Sequence, residues 1–190
     1  MPLIRAERVY LRAPERSDIP TFVRWFNDDQ VTSFLGMSAP MSEAMEEQWF
    51  NNMLETQGKD AFHFVICVVE DGLPIGTIGL FQIDRVNGSA GIGISIGEKS
   101  LWSRGYGTDA MLALLDFGFG QQRLERMWLE VYDHNARARR SYEKAGFVLE
   151  GTERNASYKR GRYADVLLMS ILRDEWQAQD RKRSWDYSSE

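Results

Sequence analysis

The sequence predicts a mixed α/β fold in which a mostly antiparallel central sheet is flanked by helices. Two hairpin signals, Asp71-Gly72 and Asn87-Gly88, join three β-rich runs in the middle of the chain. Beyond them the hydrophobic period switches between helix and strand, giving a β-α-β-α-β succession. One strand and two helices precede this meander.

Each element has its own warrant. Arg8-Val9-Tyr10-Leu11-Arg12 alternates as a strand does. Ser17-Asp18 caps a helix whose stripe is Ile19, Phe22, Val23, Trp25 and Phe26, ending near Asn27-Asp28-Asp29. Ser42 with Glu43 opens a second helix, with Met45, Trp49, Phe50, Met53 and Leu54 as its apolar positions. His63 to Glu70 and Leu73 to Ile83 are the arms of the first hairpin, and Ser89 to Ile96 follows the second. Thr108 to Phe119 reads as a helix, Arg126 to Tyr132 as a strand, and Ala136 to Ala145 as a helix stopped by Gly146. Phe147 to Glu150 and Tyr163 to Leu172 are the closing strands, the latter following the Lys159-Arg160-Gly161-Arg162 turn. No repeat or linker divides the chain, so residues 1–176 are expected to form one domain. Residues 177–190 are a polar tail, either loosely ordered or docked through Trp185 and Tyr187.

With 190 residues, 43% apolar and 27% charged, the chain has enough material for a sizeable core. Its net charge of −5, from 28 acidic and 23 basic side chains, argues against a nucleic-acid surface. The same charge is compatible with a cationic substrate. Cys67 is the only cysteine and lies in the apolar run Phe64 to Val69, which reads as a packed core thiol and excludes an intramolecular disulfide. The opening Met1-Pro2-Leu3-Ile4-Arg5 lacks the apolar stretch of a signal peptide, and no window approaches the ~18 apolar residues of a membrane span. A cytoplasmic address with no membrane partner is the expectation.

The chemistry concentrates in two strings. Trp102-Ser103-Arg104-Gly105-Tyr106-Gly107-Thr108 lies between a strand and a helix. Its glycines let the backbone approach a ligand, and the amides at the helix start point at an anion, for which a pyrophosphate is the natural guest. A Walker loop is excluded because no Gly-Lys-Ser/Thr occurs. A dinucleotide fingerprint stays open: Gly105-x-Gly107-x-x-Ala110 satisfies it and Glu125 stands where a ribose contact belongs. Against it, about eight residues separate the strand end at Ile96 from Gly105, where that fingerprint wants a tight turn. The second string is Asn135-Ala136-Arg137-Ala138-Arg139-Arg140-Ser141-Tyr142-Glu143-Lys144-Ala145-Gly146-Phe147, read alone as a capped amphipathic helix with a half-buried tyrosine.

Taken together, the two strings resemble the GNAT acetyltransferase superfamily, whose cofactor loop has the pattern Q/R-x-x-G-x-G/A and whose later segment runs Asn, a Tyr-bearing helix, then Gly-Phe. The closest likeness is to the branch of RimJ/RimL-type ribosomal-protein N-terminal acetyltransferases and related diamine and aminoglycoside acetyltransferases. The closing Gly151-Thr152-Glu153-Arg154, Asp165 to Ser170 and Leu172 to Trp176 match as well. The resemblance implies acetyl-CoA as cosubstrate, held by the amides of Ser103, Arg104, Gly105, Tyr106, Gly107 and Thr108. The strand Ile94-Ser95-Ile96 would pair with the pantetheine arm, Asn135 would hydrogen-bond it, and Ala138 would lie near the nucleotide end. Tyr142 would stand beside the thioester sulfur and protonate the departing thiolate. Glu130, within Leu129-Glu130-Val131 and five residues before Asn135, would assist deprotonation of the amine.

Two departures stand out. Trp102 takes the Q/R position, and Ala90-Gly91-Ile92-Gly93-Ile94 carries Gly91 where many relatives of the branch have Glu. The acceptor is expected to be a primary amine on a protein N-terminus, a polyamine or an aminoglycoside-like molecule, attacking the thioester directly. Asp28, Asp29, Glu43, Glu46 and Glu47, among Trp25, Phe26, Trp49 and Phe50, suggest an acidic, aromatic-lined cleft for it, against the plainer reading of two wet helix faces. His63 and His134 are too few and too scattered for a metal site. A homodimer is allowed, and a non-catalytic acyl-CoA sensor with the same fold is the competing function.

Overall fold

The computed structural model describes residues 4–37 and 39–189. Met1 to Leu3, on which part of the leader reading rests, and Glu190, the last residue of the tail, lie outside the described residues. The strands are β1 (Ile4–Arg5), β2 (Val9–Arg12), β3 (Phe62–Val68), β4 (Pro74–Asp84), β5 (Ser89–Ile96), β6 (Arg126–Tyr132), β7 (Val148–Lys159) and β8 (Arg162–Leu172). They form one sheet in the order β1-β2-β3-β4-β5-β6-β8-β7. Every neighbouring pair is antiparallel except β5 and β6. The helices are α1 (Ile19–Phe26), α2 (Asp29–Thr32), α3 (Glu43–Thr56), α4 (Tyr106–Leu115), α5 (Ala136–Ala145) and α6 (Arg173–Gln177). None of the described helices is long and apolar enough to cross a membrane.

The core explains the element choices. Met111, Leu114 and Leu115 of α4 are fully buried against Ile66, Ile75, Leu80, Met127, Leu129 and Met169 of the sheet. On the other face Phe22 and Trp25 of α1 cover Val65 and Cys67 of β3. Cys67 is wholly buried, and that burial pushes its thiol pKa up, as befits a packing residue. The helix expected over 108–119 begins at Tyr106 and gives way at Asp116 to a π-helical turn through Gln121. Gly118 permits this close turn, since a Cβ there would stand 2.5 Å from the Met127 sulfur.

Four elements go beyond the sequence reading, among them the short helix α6 after the last strand. β1 adds a two-residue edge, α2 continues after α1 because Asp28 caps it through the amides of Gln30 and Val31, and β7 runs on to Lys159 rather than ending near Glu150. The tip of the β7–β8 hairpin then grips the α2 region. Lys159 donates to the carbonyls of Thr32 and Leu35, and Arg160 pairs with Asp29.

Residues 178–187 are docked, and their main anchor is an acid that no sequence motif singles out. Asp116, 1% exposed, accepts from Trp176 Nε1 at 2.8 Å, Arg181 Nη2 at 2.6 Å and the Ser184 amide at 2.8 Å. Trp185 packs on Trp176, and Tyr187 lies near Arg5 and Lys182. Removing one partner of a buried ion pair strands the others and costs about 3–5 kcal/mol. For a chain of this size each kcal/mol is worth roughly 2–4 °C. Asp116→Ala is therefore expected to lower the melting temperature by about 6–20 °C in a circular-dichroism melt. A shift under about 2 °C would show that this network contributes nothing net.

Candidate active site

The central feature is a split in the sheet. The parallel pair β5–β6 is in register only at Ser89–Arg126, Ala90–Met127 and Gly91–Trp128. Beyond Gly91 the strands diverge, β5 staying with β4 as far as Ile96 and β6 with β8 as far as Tyr132. One edge of β5 from Ile92 to Ile96 is left without a strand partner, in a place where buried backbone groups require one. A cleft of about 640 Å³ opens between the diverging strands.

At its far end the loop before α4 is pinned from several sides. Trp102 Nε1 donates to the Ile96 carbonyl at 2.8 Å, and the Arg137 guanidinium lies 3.7 Å from the centre of the Trp102 ring. Ser103 adopts a φ of 61° and Gly105 a φ of 88°, the left-handed region that turns the chain into α4. No side chain among the described residues caps that helix. Its first amides thus face the cleft with the positive end of the helix dipole behind them. Asp109 holds the helix start to the β1–β2 connection by accepting from the Arg8 amide at 2.7 Å and the Val9 amide at 3.1 Å.

α5 closes the other wall. Asn135 caps it, its side-chain oxygen accepting from the Ala138 amide at 3.2 Å, which leaves its amide nitrogen for other partners. Thr108 and Ser141 share a 2.8 Å hydrogen bond that ties the start of α4 to α5. Tyr142 lines the cleft yet is only 9% exposed, and none of the described residues hydrogen-bonds its hydroxyl. Burial pushes its pKa up to about 12, against a smaller downward pull from Arg137. The phenol is therefore protonated throughout the physiological range.

The sequence-derived candidates are largely brought together. Ile94, Ser95, Ile96, Ser103, Gly105, Tyr106, Gly107, Thr108, Glu130, Asn135, Ala138 and Tyr142 all line the cleft. Arg104 does not; it is exposed, and its carbonyl is held by Arg8 Nη1 at 2.6 Å. Sequence reasoning passed over Arg137, Arg140 and Lys144, which also line it. Their three- and four-residue spacing puts them on one face of α5, a legible sign of an anion-facing helix.

The expected acidic cleft near α1 and α3 is reduced to a pocket with a single acid among the described residues, Glu46. Asp28 is paired with Lys99 at 2.6 Å, Asp29 with Arg160 and Glu47 with Arg16. Glu43 is exposed in the first turn of α3. Trp25 and Phe50 are buried core residues, the former donating to Glu98 at 2.9 Å. Only Phe26, Glu46 and Trp49 of that set line a cavity together. The buried stripe of α3 is Glu46, Phe50 and Met53, while Met45 and Leu54 are half exposed. The departure at Gly91 has a physical counterpart, because a Cβ there would stand 2.5 Å from the Phe81 ring.

A strand pair splayed beside an uncapped helix start, with a buried tyrosine between, agrees with the family comparison. The model of the acetyltransferase (GNAT) domain matches residues 8–148. The chain belongs to the GNAT acetyltransferase family. An uncharacterized N-acetyltransferase, p20, of Bacillus licheniformis is 30% identical over 178 residues, 93% of this chain and 99% of that one. A spermidine N(1)-acetyltransferase of Vibrio cholerae is 29% identical over 87% of this chain and 94% of its own length. The crystal structure of a spermidine N-acetyltransferase from Vibrio cholerae in complex with CoA and spermine superposes with a TM-score of 0.82 at 27% identity, covering 89% of this chain and 98% of that one. This GNAT chain is thus an N-acetyltransferase that uses acetyl-CoA, with a mixed, mostly antiparallel sheet as its sequence predicts.

Proposed function

We propose that the cleft between β5 and β6 holds acetyl-CoA and that a primary amine attacks its thioester directly, without a covalent enzyme intermediate. The splay beyond Gly91, ending at the uncapped start of α4, is the observation that carries this reading. The amides of Ser103 to Thr108, with Arg140 and Lys144 across the cleft, would hold the pyrophosphate. Ile94 to Ile96 and the Asn135 amide nitrogen would hydrogen-bond the pantetheine arm, while Ala138 lies toward the nucleotide. Amides along Ile92 to Ile96 would receive the charge that builds on the carbonyl oxygen. Tyr142 would donate a hydrogen bond from its hydroxyl to the departing sulfur. An alkylammonium sheds two protons on becoming an amide, one before attack and one afterwards, and Glu130, which lines the cleft, would assist the amine's deprotonation through a water. Acetyl-CoA as donor accords with the cytoplasmic address read from the sequence.

Two measurements test the reading together. Calorimetric titration with acetyl-CoA is expected to give a 1:1 complex, and thiol release is expected when a panel of primary amines is added. Saturable NAD binding with no response to acetyl-CoA would return the glycine loop to the dinucleotide reading. Tight acetyl-CoA binding with no thiol release from any amine would make the protein a sensor.

A further inference from the structure

A second cavity of about 360 Å³ lies between α1, α3 and the sheet. Its walls are apolar almost throughout, with Phe22, Phe26, Met41, Trp49, Phe64 and Phe81 among them. Its floor is bare backbone. His63, Gly79 and Gly93 are opposite one another on adjacent strands, so they form one row across β3, β4 and β5. Two of the three lack side chains; at Gly79 close strand packing demands this, since a Cβ there would stand 2.3 Å from the Phe62 carbonyl oxygen. Gly93 also lines the cleft between β5 and β6, so the two cavities share it as a wall. A Cβ at Gly93 would find only the Phe81 ring, at 3.8 Å, so packing within the protein does not require a glycine there.

One acid faces this space. Glu46 is 2% exposed, and its Oε1 is fully buried without a hydrogen-bond partner. A buried carboxylate left in that condition is costly unless it is protonated or a ligand supplies its counter-charge. Trp49 lies one helical turn further on the same face of α3, edge-on to His63 with ring centres 5.4 Å apart.

We infer that this pocket is the acceptor site and that it selects a small amine with an apolar body and a single cationic nitrogen, Glu46 being the group that pairs with the ammonium and takes its first proton. The inference rests on the acetyl-transfer reading above. A polyamine would bring further ammonium groups into a lining that offers only one carboxylate, and each unpaired buried charge is expensive. A peptide would bring backbone amides to walls whose side-chain polar groups besides Glu46 are, among the described residues, His63, Thr77 and the Trp49 indole N–H. In the step itself the ammonium passes one proton to the Glu46 carboxylate, and the freed lone pair forms the C–N bond at the thioester carbon. The C–S bond breaks and the sulfur leaves as a thiolate hydrogen-bonded by Tyr142; of the two protons lost from nitrogen, one ends on that sulfur to make the thiol and the other leaves through the cleft, so that one proton is released overall.

Burial pushes the Glu46 pKa up to about 7, which makes it a stronger base than an ordinary carboxylate. His63 is the other titratable side chain lining the pocket among the described residues; α1, β4 and β5 contribute none. Burial lowers its pKa, so it stays neutral where Glu46 titrates.

The test compares 2-phenylethylamine with spermidine in wild-type enzyme, Glu46→Gln and Glu46→Asp, with acetyl-CoA affinity measured on each. Higher kcat/KM for 2-phenylethylamine than for spermidine is expected, with a fall in kcat/KM below about pH 7 as Glu46 protonates. Glu46→Gln, which removes an unpaired charge and keeps the shape, should lose at least about tenfold in kcat/KM along with that acid limb, at unchanged acetyl-CoA affinity. Glu46→Asp should restore the limb. Wild-type kcat/KM in Glu46→Gln, or a preference for spermidine or for a peptide N-terminus, would overturn the inference while leaving acetyl transfer in place. Loss of acetyl-CoA binding in the wild-type protein would instead sink both.

Discussion

Replacing Gly105 with Val is expected to weaken acetyl-CoA binding by at least about a hundredfold, or roughly 2.7 kcal/mol, in a calorimetric titration. Gly105 has a φ of 88°, where a β-branched residue is strained whatever the surrounding space. The added Cβ would also stand 3.0 Å from Arg8 Nη1, the group that holds the Arg104 carbonyl. That guanidinium can swing aside, so the steric part of the penalty is small. The backbone part is not small, because the residue can relax only by re-aiming the amides of Tyr106 to Thr108. Gly151→Ala, whose Cβ would meet nothing within 4 Å, is the matched control and should bind normally. If the Gly105→Val variant keeps its affinity within about threefold, under 0.7 kcal/mol, the pyrophosphate is not held by this turn.

Tyr142→Phe is expected to lower kcat between about tenfold and 150-fold with little change in acetyl-CoA affinity. The range follows from the chemistry of the donor. With its pKa raised to about 12, the phenol is a weaker acid than a thiol, whose ordinary value is about 8.5. Outright transfer to a thiolate is uphill by about 3.5 units, close to 5 kcal/mol. The stabilisation is therefore that of a hydrogen bond to a developing negative charge, about 1.5–3 kcal/mol. A loss above about a thousandfold would show instead that the proton crosses fully in the transition state. Unchanged turnover, measured where chemistry limits the rate, would remove Tyr142 from the reaction. The ring's packing near Phe147, 6.2 Å between centres, should survive the substitution, so a change in melting temperature is not expected.

The legible parts of this protein are those where local chemistry and long-range packing agree. Asp71-Gly72 and Asn87-Gly88 turn where their residue types demand, and Asn135 caps α5 at the predicted place. β1 was not legible because two residues carry no period. β7 was cut short because Leu149 to Asn155 are mostly exposed on the sheet edge, where no alternation is imposed. Within the site, the glycine loop and the Asn–Tyr helix announce themselves through spacing. Glu46 does not. In the run Glu43-Ala44-Met45-Glu46-Glu47 nothing distinguishes the buried acid from the exposed ones until Phe50 and Met53 fix which face turns inward. Asp116 was hidden for a related reason, its partners Trp176, Arg181 and Ser184 lying 60 or more residues away.

The wall that the two cavities share at Gly93 bears on how turnover is organised in time. On the proposed assignment donor and acceptor occupy separate cavities on either side of it, so neither has to leave before the other arrives. Both can be aboard when the bond forms, and initial rates with both concentrations varied should give intersecting double-reciprocal lines rather than parallel ones. The products then have separate ways out. On that assignment an acetylated amine has lost the charge that would pair with Glu46, whereas CoA would keep its phosphate contacts at the start of α4. The spent donor should therefore be the last to depart.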